Sequence, residues 1–514
     1  MSKTIIIIGA GLAGLSAALQ AAENGCNVKL VSSLPSERAQ SVMAEGGINA
    51  ALNTKDENDS PEEHFTDTIK AACGLADPNA VWGMTQAAPE LVHWLLKLGV
   101  KFNMSGYDDV DLRNFGGQKK KRTAFAQSDT GKQIMTAMID AVRRKEASGM
   151  VERFSHHSFL TLRLCGNICC GCVIRDEYSQ ETVELPGDAV IVATGGMHGL
   201  FGNTTGSLSN TGEVTAELFR LGVPLANGEM IQYHPTTVKC GGKRMLISEA
   251  ARGEGGRLFA MKDGKQWYFM EEKYPELGNL MPRDITAREI WKVSHESEVF
   301  LDMTEISEEI ISNKLSGLAD DCMTYLHKDI RKEPVSVLPG IHYFMGGILV
   351  DEQHRTPIQN LYAAGECCAQ YHGANRLGGN SLLGALYGGR VAAKSACEQA
   401  DVVDLSCATQ IDFPPASQIS EIKQLNKVMQ ETMGVVRNEN MLLNGIKTVQ
   451  ALTGNLPLLG MAVLKSALAR KESRGAHWRE DYPKSNDDDY LKTTVARFDG
   501  KQIQISFVPV PERR

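Results

Sequence analysis

Residues 3–33, KTIIIIGAGLAGLSAALQAAENGCNVKLVSS, leave few folds open. Thr4–Ile8 is a continuous apolar, β-branched run, as a parallel strand buried on both faces requires. Gly9, Gly11 and Gly14 follow as G-x-G-x-x-G. The first two, with Ala13 on the same turn, permit close approach of a pyrophosphate to the backbone. The third lets a helix pack on the strand, and that helix's N-terminus favours negative charge. Leu15–Glu23 reads as the helix, Gly25 as its end and Asn27–Val31 as the next strand. A lone G-x-G-x-x-G is weak evidence, but one inside a β–α–β unit is strong. The expected fold class is α/β, with a Rossmann-like dinucleotide-binding domain.

Two later pieces repeat the strand-then-glycine pattern. GDAVIVATGGMHGLFG (187–202) offers a buried strand over Ala189–Ala193, followed by Thr194 and Gly195. NLYAAGECC (360–368) offers a shorter one, followed by Gly365 and Glu366. Strands that return after long insertions favour FAD over NAD. The end of the second strand commonly carries an acid for the ribose; here it carries Ser32 and Ser33.

Composition narrows the function classes. A chain of 514 residues exceeds a single core and predicts two to four domains. Its net charge of −8 gives no footprint for nucleic acid. The one basic cluster, QKKKR (118–122), reads as a solvated loop. No apolar run approaches the ~18 residues of a membrane span, and the apolar strand starting at Ile5 leaves no signal peptide. Cys165, Cys169, Cys170 and Cys172 lack the two paired Cys-x-x-Cys motifs of zinc or iron–sulfur sites. The cysteines therefore read as reduced, mostly buried thiols, and no metal site is expected.

Five further stretches stand in a fixed order. They are SVMAEGGINAAL (41–52), EMIQYHPTTV (229–238), ISEAARGEGGRL (247–258) with NLMPRDITARE (279–289), GIHYFMGGILVD (340–351) and YHGANRLGGNSL (371–382). Together they resemble the flavoprotein subunits of succinate dehydrogenase and fumarate reductase. The resemblance runs from Ile5 to the tail SRGAHWREDYPKSNDDDYLKTT (473–494). L-aspartate oxidases share many of these pieces, but FGGQKKKRTAFAQSDTGKQ (115–133) looks like the dehydrogenase/reductase branch.

The resemblance implies an FAD domain in two parts, 1–235 and 346–405, an inserted α+β capping domain at 236–345, and a C-terminal helical region at 415–514. It implies interconversion of succinate and fumarate, with an iron–sulfur subunit and a membrane anchor or other carrier exchanging the electrons. Such a chain would be cytoplasmic, reaching the inner face of the membrane only through partners. Ser32 then matches the serine that similar proteins place at the adenosine ribose. Flavin contacts are implied for Ser41, Ala44, Gly46 and Gly47, for Ala193, Thr194 and Gly195, and for Glu366, Arg376, Ser381 and Leu382.

The substrates are four-carbon dianions, so binding them away from water needs donors at both ends. His372 and Arg376, four apart among small residues, could both face one carboxylate. By resemblance, Arg376 clamps one carboxylate with His342, and His234 with Ser248 holds the other. Arg283 is implied as proton donor, with Glu249 and Arg252 as its relay. Alone, Glu249 and Arg252 would read as an exposed i,i+3 pair, and Arg288 reads as a structural ion-pair partner. Membrane-bound relatives tether FAD through a histidine just before the S/T-V-x-A-E/Q-G-G turn. Gln40 stands there in this chain, so the expectation is non-covalent FAD. Alternatives are an L-aspartate oxidase, a reductase of another unsaturated dicarboxylic acid, or a non-catalytic FAD-binding assembly subunit. In the tail region, Glu431–Lys447 and Leu456–Lys471 carry helical spacing, and Pro357, Pro414, Pro415 and Pro457 punctuate.

Overall fold

The computed structural model describes residues 2–106, 109–401, 413 and 418–514. Pro414, Pro415 and the expected boundary near 405–415 lie outside the described residues, apart from Phe413. The N-terminal motif builds the centre of the molecule. Strands β1 (Thr4–Ile8), β2 (Asn27–Ser32), β3 (Val151–Ser155), β4 (Ala189–Val192) and β5 (Leu361–Ala363) form one parallel sheet in the order β5-β4-β1-β2-β3. The chain returns to this sheet from far downstream, as the repeated strand–glycine pieces predict.

β1 shows why its four isoleucines are needed. Ile5 and Ile7 feed the core formed with helices α1 (Leu12–Glu23) and α2 (Asn380–Gln399). Ile6 and Ile8 feed a second core on the opposite face, with Leu162, Ile174 and Leu185 of an antiparallel three-stranded sheet. A strand covered on both sides cannot alternate apolar with polar. Each such side chain contributes about 1.5–3 kcal/mol by leaving water. The helix starts at Leu12, earlier than Leu15, because Gly11 already takes the extended N-cap position.

The capping elements leave and re-enter through one antiparallel pair. Ile231–Cys240 runs out and Leu338–Phe344 runs back, with register shifts beside His234. Beyond them lies a four-stranded sheet, Lys265–Trp267, Arg257–Lys262, Val299–Asp302 and Val335–Ser336, with its own core.

The C-terminal region departs from expectation in two ways. The run 431–447 is not one helix: Ile419–Thr432 ends and Glu439–Val449 begins anew. Gly434 lies in the break, and the Asn438 side chain caps the second helix by accepting from Met441 N at 2.9 Å. With Asn455–Ala469 they form a three-helix group on one apolar core. The tail is not wholly helical either. Lys492–Phe498 and Ile503–Pro509 make a hairpin that pairs with Leu225–Ala226 in a separate five-stranded sheet completed by Gly347–Leu349 and Cys368–Ala369. Ile503–Pro509 alternates half-buried with exposed positions, a period of two, whereas Lys492–Phe498 buries Thr494, Val495 and Ala496 in succession.

Three smaller expectations are corrected. QKKKR is not uniformly solvated, because Arg122 is fully buried and ion-paired with Asp59 at 2.8 Å and Asp67 at 2.9 Å. The cysteines are not all reduced: Cys165, half-buried at the end of a hairpin strand, is disulfide-bonded. The other described cysteines are free. Arg288 stacks over Trp478 at 4.0 Å, an aromatic partner on the folded tail that sequence distance concealed. Among the described residues, no helix is long and apolar enough to cross a membrane, and no His/Cys/Asp/Glu group could hold a metal ion.

Candidate active site

One cavity of about 890 Å³ runs from the C-terminal ends of β1 and β2 to the base of the capping elements. A ligand is expected at that edge of a parallel sheet. Gly9 has φ +111°, and a Cβ there would stand 2.2 Å from the Ala193 carbonyl oxygen. At Gly11 an added Cβ would meet only Ser41 Oγ at 3.6 Å and Ala39 Cβ at 3.8 Å. Gly14 is outside the lining; its Cβ would stand 1.8 Å from Gly9 O, so it serves helix–strand packing.

The cradle has donors without protein partners, which is what a pyrophosphate and a ribose require. Ser32 Oγ is buried and unbonded at the end of β2. Neither α1 nor α2 has a side-chain cap, and Gly11 and Gly379 occupy the two N-cap positions beside the cavity. Such helix ends are anion-binding. Ser41 Oγ accepts from Leu12 N at 3.2 Å, tying the 41–47 turn to α1. That turn (Ser41, Ala44, Gly46, Gly47), Ala193–Gly195, Glu366, Ser381 and Leu382 all line the cavity, as does Gln40. Glu366 accepts from Phe344 N at 3.1 Å, which links the FAD-side strands to the returning capping strand. The residues present fit FAD.

The other end is lined by cations. Arg283 begins the helix Arg283–Val293, and its guanidinium is held on two sides. Nε and Nη2 donate to Glu249 Oε2 at 2.9 and 2.5 Å, and Nη1 donates to Gln232 Oε1 at 3.1 Å. Glu249 opens the short helix Glu249–Gly253; its Oε1 accepts from Gly116 N at 3.0 Å and from Arg252 Nη2 at 3.4 Å. Arg252 stands behind, outside the lining, with Nη1 on Asn279 O at 2.5 Å. Burial opposes charge on Glu249, but Arg283 and Arg252 together hold its carboxyl below the usual range.

Arg376 is 3 % exposed and, among the described residues, pairs with no carboxylate. Its guanidinium lies 4.3 Å over the Tyr343 ring, and its Nε has no partner. Burial, then the Arg283 charge, pulls it down to about 9. A buried cation without a counter-ion is costly, so the site asks for an anion.

His234 and His342 face each other edge-on, with ring centroids 5.1 Å apart. His234 Nδ1 is occupied by Thr236 backbone groups, and His342 Nδ1 by Thr205 Oγ1 at 2.8 Å. Burial and the Arg283 charge hold both well below the ordinary histidine range, so both are neutral. Ser248 Oγ accepts from Ala250 N at 3.4 Å as an N-cap, and its O–H remains able to donate.

The structure thus gathers Arg283, Glu249, His234, Ser248, His342 and Arg376 in the lining of one cavity. It does not gather His372. That ring packs edge-on to Tyr343 at 5.3 Å and is outside the lining. The segment turns at Gly373 (φ +51°), so four residues of spacing do not share a face with Arg376. Sequence reasoning missed Gln232, which bridges Arg283, Asn375 and the Arg376 carbonyl. It also missed Thr205 and Tyr343. Gln232 lies two residues before His234, a spacing that places both on one face of the strand.

Comparisons with known proteins identify the family. The FAD binding domain family matches residues 4–382, and the fumarate reductase flavoprotein C-terminal family matches 452–513. The succinate dehydrogenase flavoprotein subunit of Bacillus subtilis is 38 % identical over 576 aligned residues, covering 100 % of this chain and 98 % of that one. The 8-methylmenaquinol:fumarate reductase flavoprotein subunit of Wolinella succinogenes is 32 % identical, covering 100 % and 92 %. The FrdA chain of E. coli quinol fumarate reductase superposes with a TM-score of 0.90 at 27 % identity, over 99 % of this chain and 97 % of that one. An FAD-fitting cradle on a parallel sheet, matched by relatives over its whole length, makes this chain a member of the succinate dehydrogenase/fumarate reductase flavoprotein subunit family, an FAD-dependent oxidoreductase.

Proposed function

We propose that the chain interconverts fumarate and succinate, and the observation that carries this reading is the buried Arg376, without a carboxylate partner, lining with Arg283 one cavity that fits FAD. FAD, when bound, supplies two-electron hydride chemistry to this site. Arg376 with His342 holds one carboxylate of the substrate, and His234 with Ser248 holds the other. Neutral histidines donate from their free nitrogens without adding charge, which leaves the dianion to the guanidiniums.

Reducing fumarate adds a hydride at one central carbon and a proton at the next. Arg283 is positioned to give that proton. An arginine is a weak acid, so it acts only if the lost proton is replaced at once. Glu249 Oε2, bonded to both Nε and Nη2, returns it, and Arg252 behind Glu249 continues the relay. Oxidation of succinate runs the same steps in reverse.

Residues 1–235 and 346–405 are proposed as the FAD domain, 236–345 as the cap, and the region from 415 as the C-terminal unit. Gln40 lacks a nucleophilic ring nitrogen, which supports non-covalent FAD. The electrons must leave or arrive through another protein, and an iron–sulfur subunit, itself docked to a membrane anchor or other carrier, is the proposed partner. Such an arrangement puts the chain at the cytoplasmic face of a membrane without spanning it.

The test uses the purified chain reconstituted with FAD. Oxidation of reduced viologen by fumarate, and dye reduction by succinate but not by L-aspartate, is the expected result. Aspartate oxidation without fumarate turnover overturns the reading in favour of an amino-acid oxidase. Acid precipitation should release yellow supernatant and leave a non-fluorescent pellet; a fluorescent pellet would show a covalent flavin.

A further inference from the structure

Far from the cavity, two cysteines stand closer than non-bonded sulfurs. Cys26 follows the turn that ends α1, and Cys397 lies in the last turn of α2. Their Sγ atoms are 2.8 Å apart although 371 residues separate them in the chain. A disulfide requires about 2.05 Å, so closing the bond needs under about 1 Å of movement.

The approach is fixed by packing rather than by chance contact. Helices α1 and α2 lie against each other without intervening side chains: a Cβ at Gly389 would stand 2.3 Å from Ala13 O. Ser16 Oγ also donates to Leu386 O at 2.7 Å. Cys26 is 5 % exposed and cannot turn away, whereas Cys397 is half-buried and lines a shallow surface depression with Gln20, Asn24 and Lys394. Lys3 Nζ donates to Cys397 O at 2.8 Å, placing a cation beside the pair.

We propose that Cys26 and Cys397 are a thiol pair that peroxides convert to a reversible disulfide, joining the far ends of the two helices whose N-termini frame the cofactor cradle. The depression admits a small oxidant to Cys397. Its thiolate attacks the peroxide oxygen, the O–O bond breaks, and a sulfenic acid and one water result once the released hydroxide is protonated. Cys26 then attacks that sulfur and the sulfenic oxygen leaves as a second water. Two thiols lose two electrons and two protons, and one hydrogen peroxide becomes two waters. A dithiol reverses the bond by exchange.

Burial raises the Cys397 thiol above its ordinary range, and Cys26 adds to this, while Lys3 and Asn24 oppose it. The attacking thiolate is therefore a minor form at neutral pH, and the oxidation is slow there and faster at higher pH. The bond would close a very long loop and restrain α1 against α2, which stabilises chiefly through the unfolded chain.

Peptide mapping of the FAD-loaded protein after hydrogen peroxide, without reductant, is the test. The expected result is a cross-linked peptide containing Cys26 and Cys397, two mass units below the sum, removed by dithiothreitol. Apparent Tm should rise by a few degrees on oxidation and return on reduction. Cys26→Ser and Cys397→Ser should each abolish both effects with turnover unchanged. Both cysteines remaining thiols, or Cys397 advancing to a sulfinic acid with no cross-link, overturns the proposal.

Discussion

Arg283 meets Glu249 twice on one oxygen: Nε lies 2.9 Å and Nη2 2.5 Å from Oε2, with both side chains buried. A pair so enclosed is an inefficient way to gain stability, but it suits proton exchange between the two groups. General acid catalysis is worth about 10²–10⁴-fold. Arg283→Ala should therefore lower kcat about 10³-fold while FAD absorbance persists. Glu249→Gln keeps the size but cannot carry the proton, and should lower kcat about 10²-fold with little change in KM. Equal turnover by Glu249→Gln and the parent would eliminate the relay.

Arg376→Met separates binding from folding. The substitution removes a buried, carboxylate-free cation and keeps an apolar stem. Substrate affinity should fall about 10–100-fold, the worth of one charged hydrogen-bonding group. The ligand-free protein should melt no lower than the parent, because an unpaired buried charge is unfavourable. A clear loss of thermal stability would instead mark Arg376 as a structural residue.

Two glycines of one motif should respond differently. Gly11→Ala places its Cβ where the chain has room, 3.6 Å from Ser41 Oγ, so the protein should fold while binding FAD at least tenfold more weakly. Gly14→Ala drives its Cβ to within 1.8 Å of Gly9 O, and soluble protein should be lost. Flavin titration and yield measure the two outcomes. Undiminished FAD affinity in Gly11→Ala would argue against pyrophosphate at that turn.

Acid stability follows from buried neutral histidines. Burial, then Arg122, lowers His64 to about 3, and burial lowers His354 to about 4. Unfolded histidine takes a proton near pH 6.5 while these native rings do not. The unfolded state thus binds more protons below pH 6.5, and stability falls with pH. Above pH 6.5 the contribution is fully present; it is lost progressively down to about pH 4 for His354 and pH 3 for His64. Each contributes roughly 1.4 kcal/mol per pH unit inside its window. Urea midpoints should drop between pH 7 and pH 5, and equal midpoints would rule this out.

Local physics made much of the molecule readable in one dimension. β1, its glycine turn and the first helix carry their pattern within about thirty residues of sequence, and a strand buried on both faces has few other sequences. Glycine positions carried information because an added Cβ would collide with backbone at Gly9 and Gly14. The family motifs marked Arg283, Glu249, His234, His342 and Arg376, whose chemistry is too unusual for a plain surface. Tertiary structure alone decided the rest. Gln232 is an ordinary amide until the fold sets Arg283, 51 residues away, against it. His372 was drawn toward the substrate by spacing, but a turn at Gly373 sends it behind Tyr343. Arg122 looked solvated until Asp59 and Asp67 enclosed it, and Cys26 met Cys397 only because two helices pack backbone to backbone. Such contacts join residues tens to hundreds of positions apart, where periodicity and local propensity carry no signal and only the packed chain sets the distance.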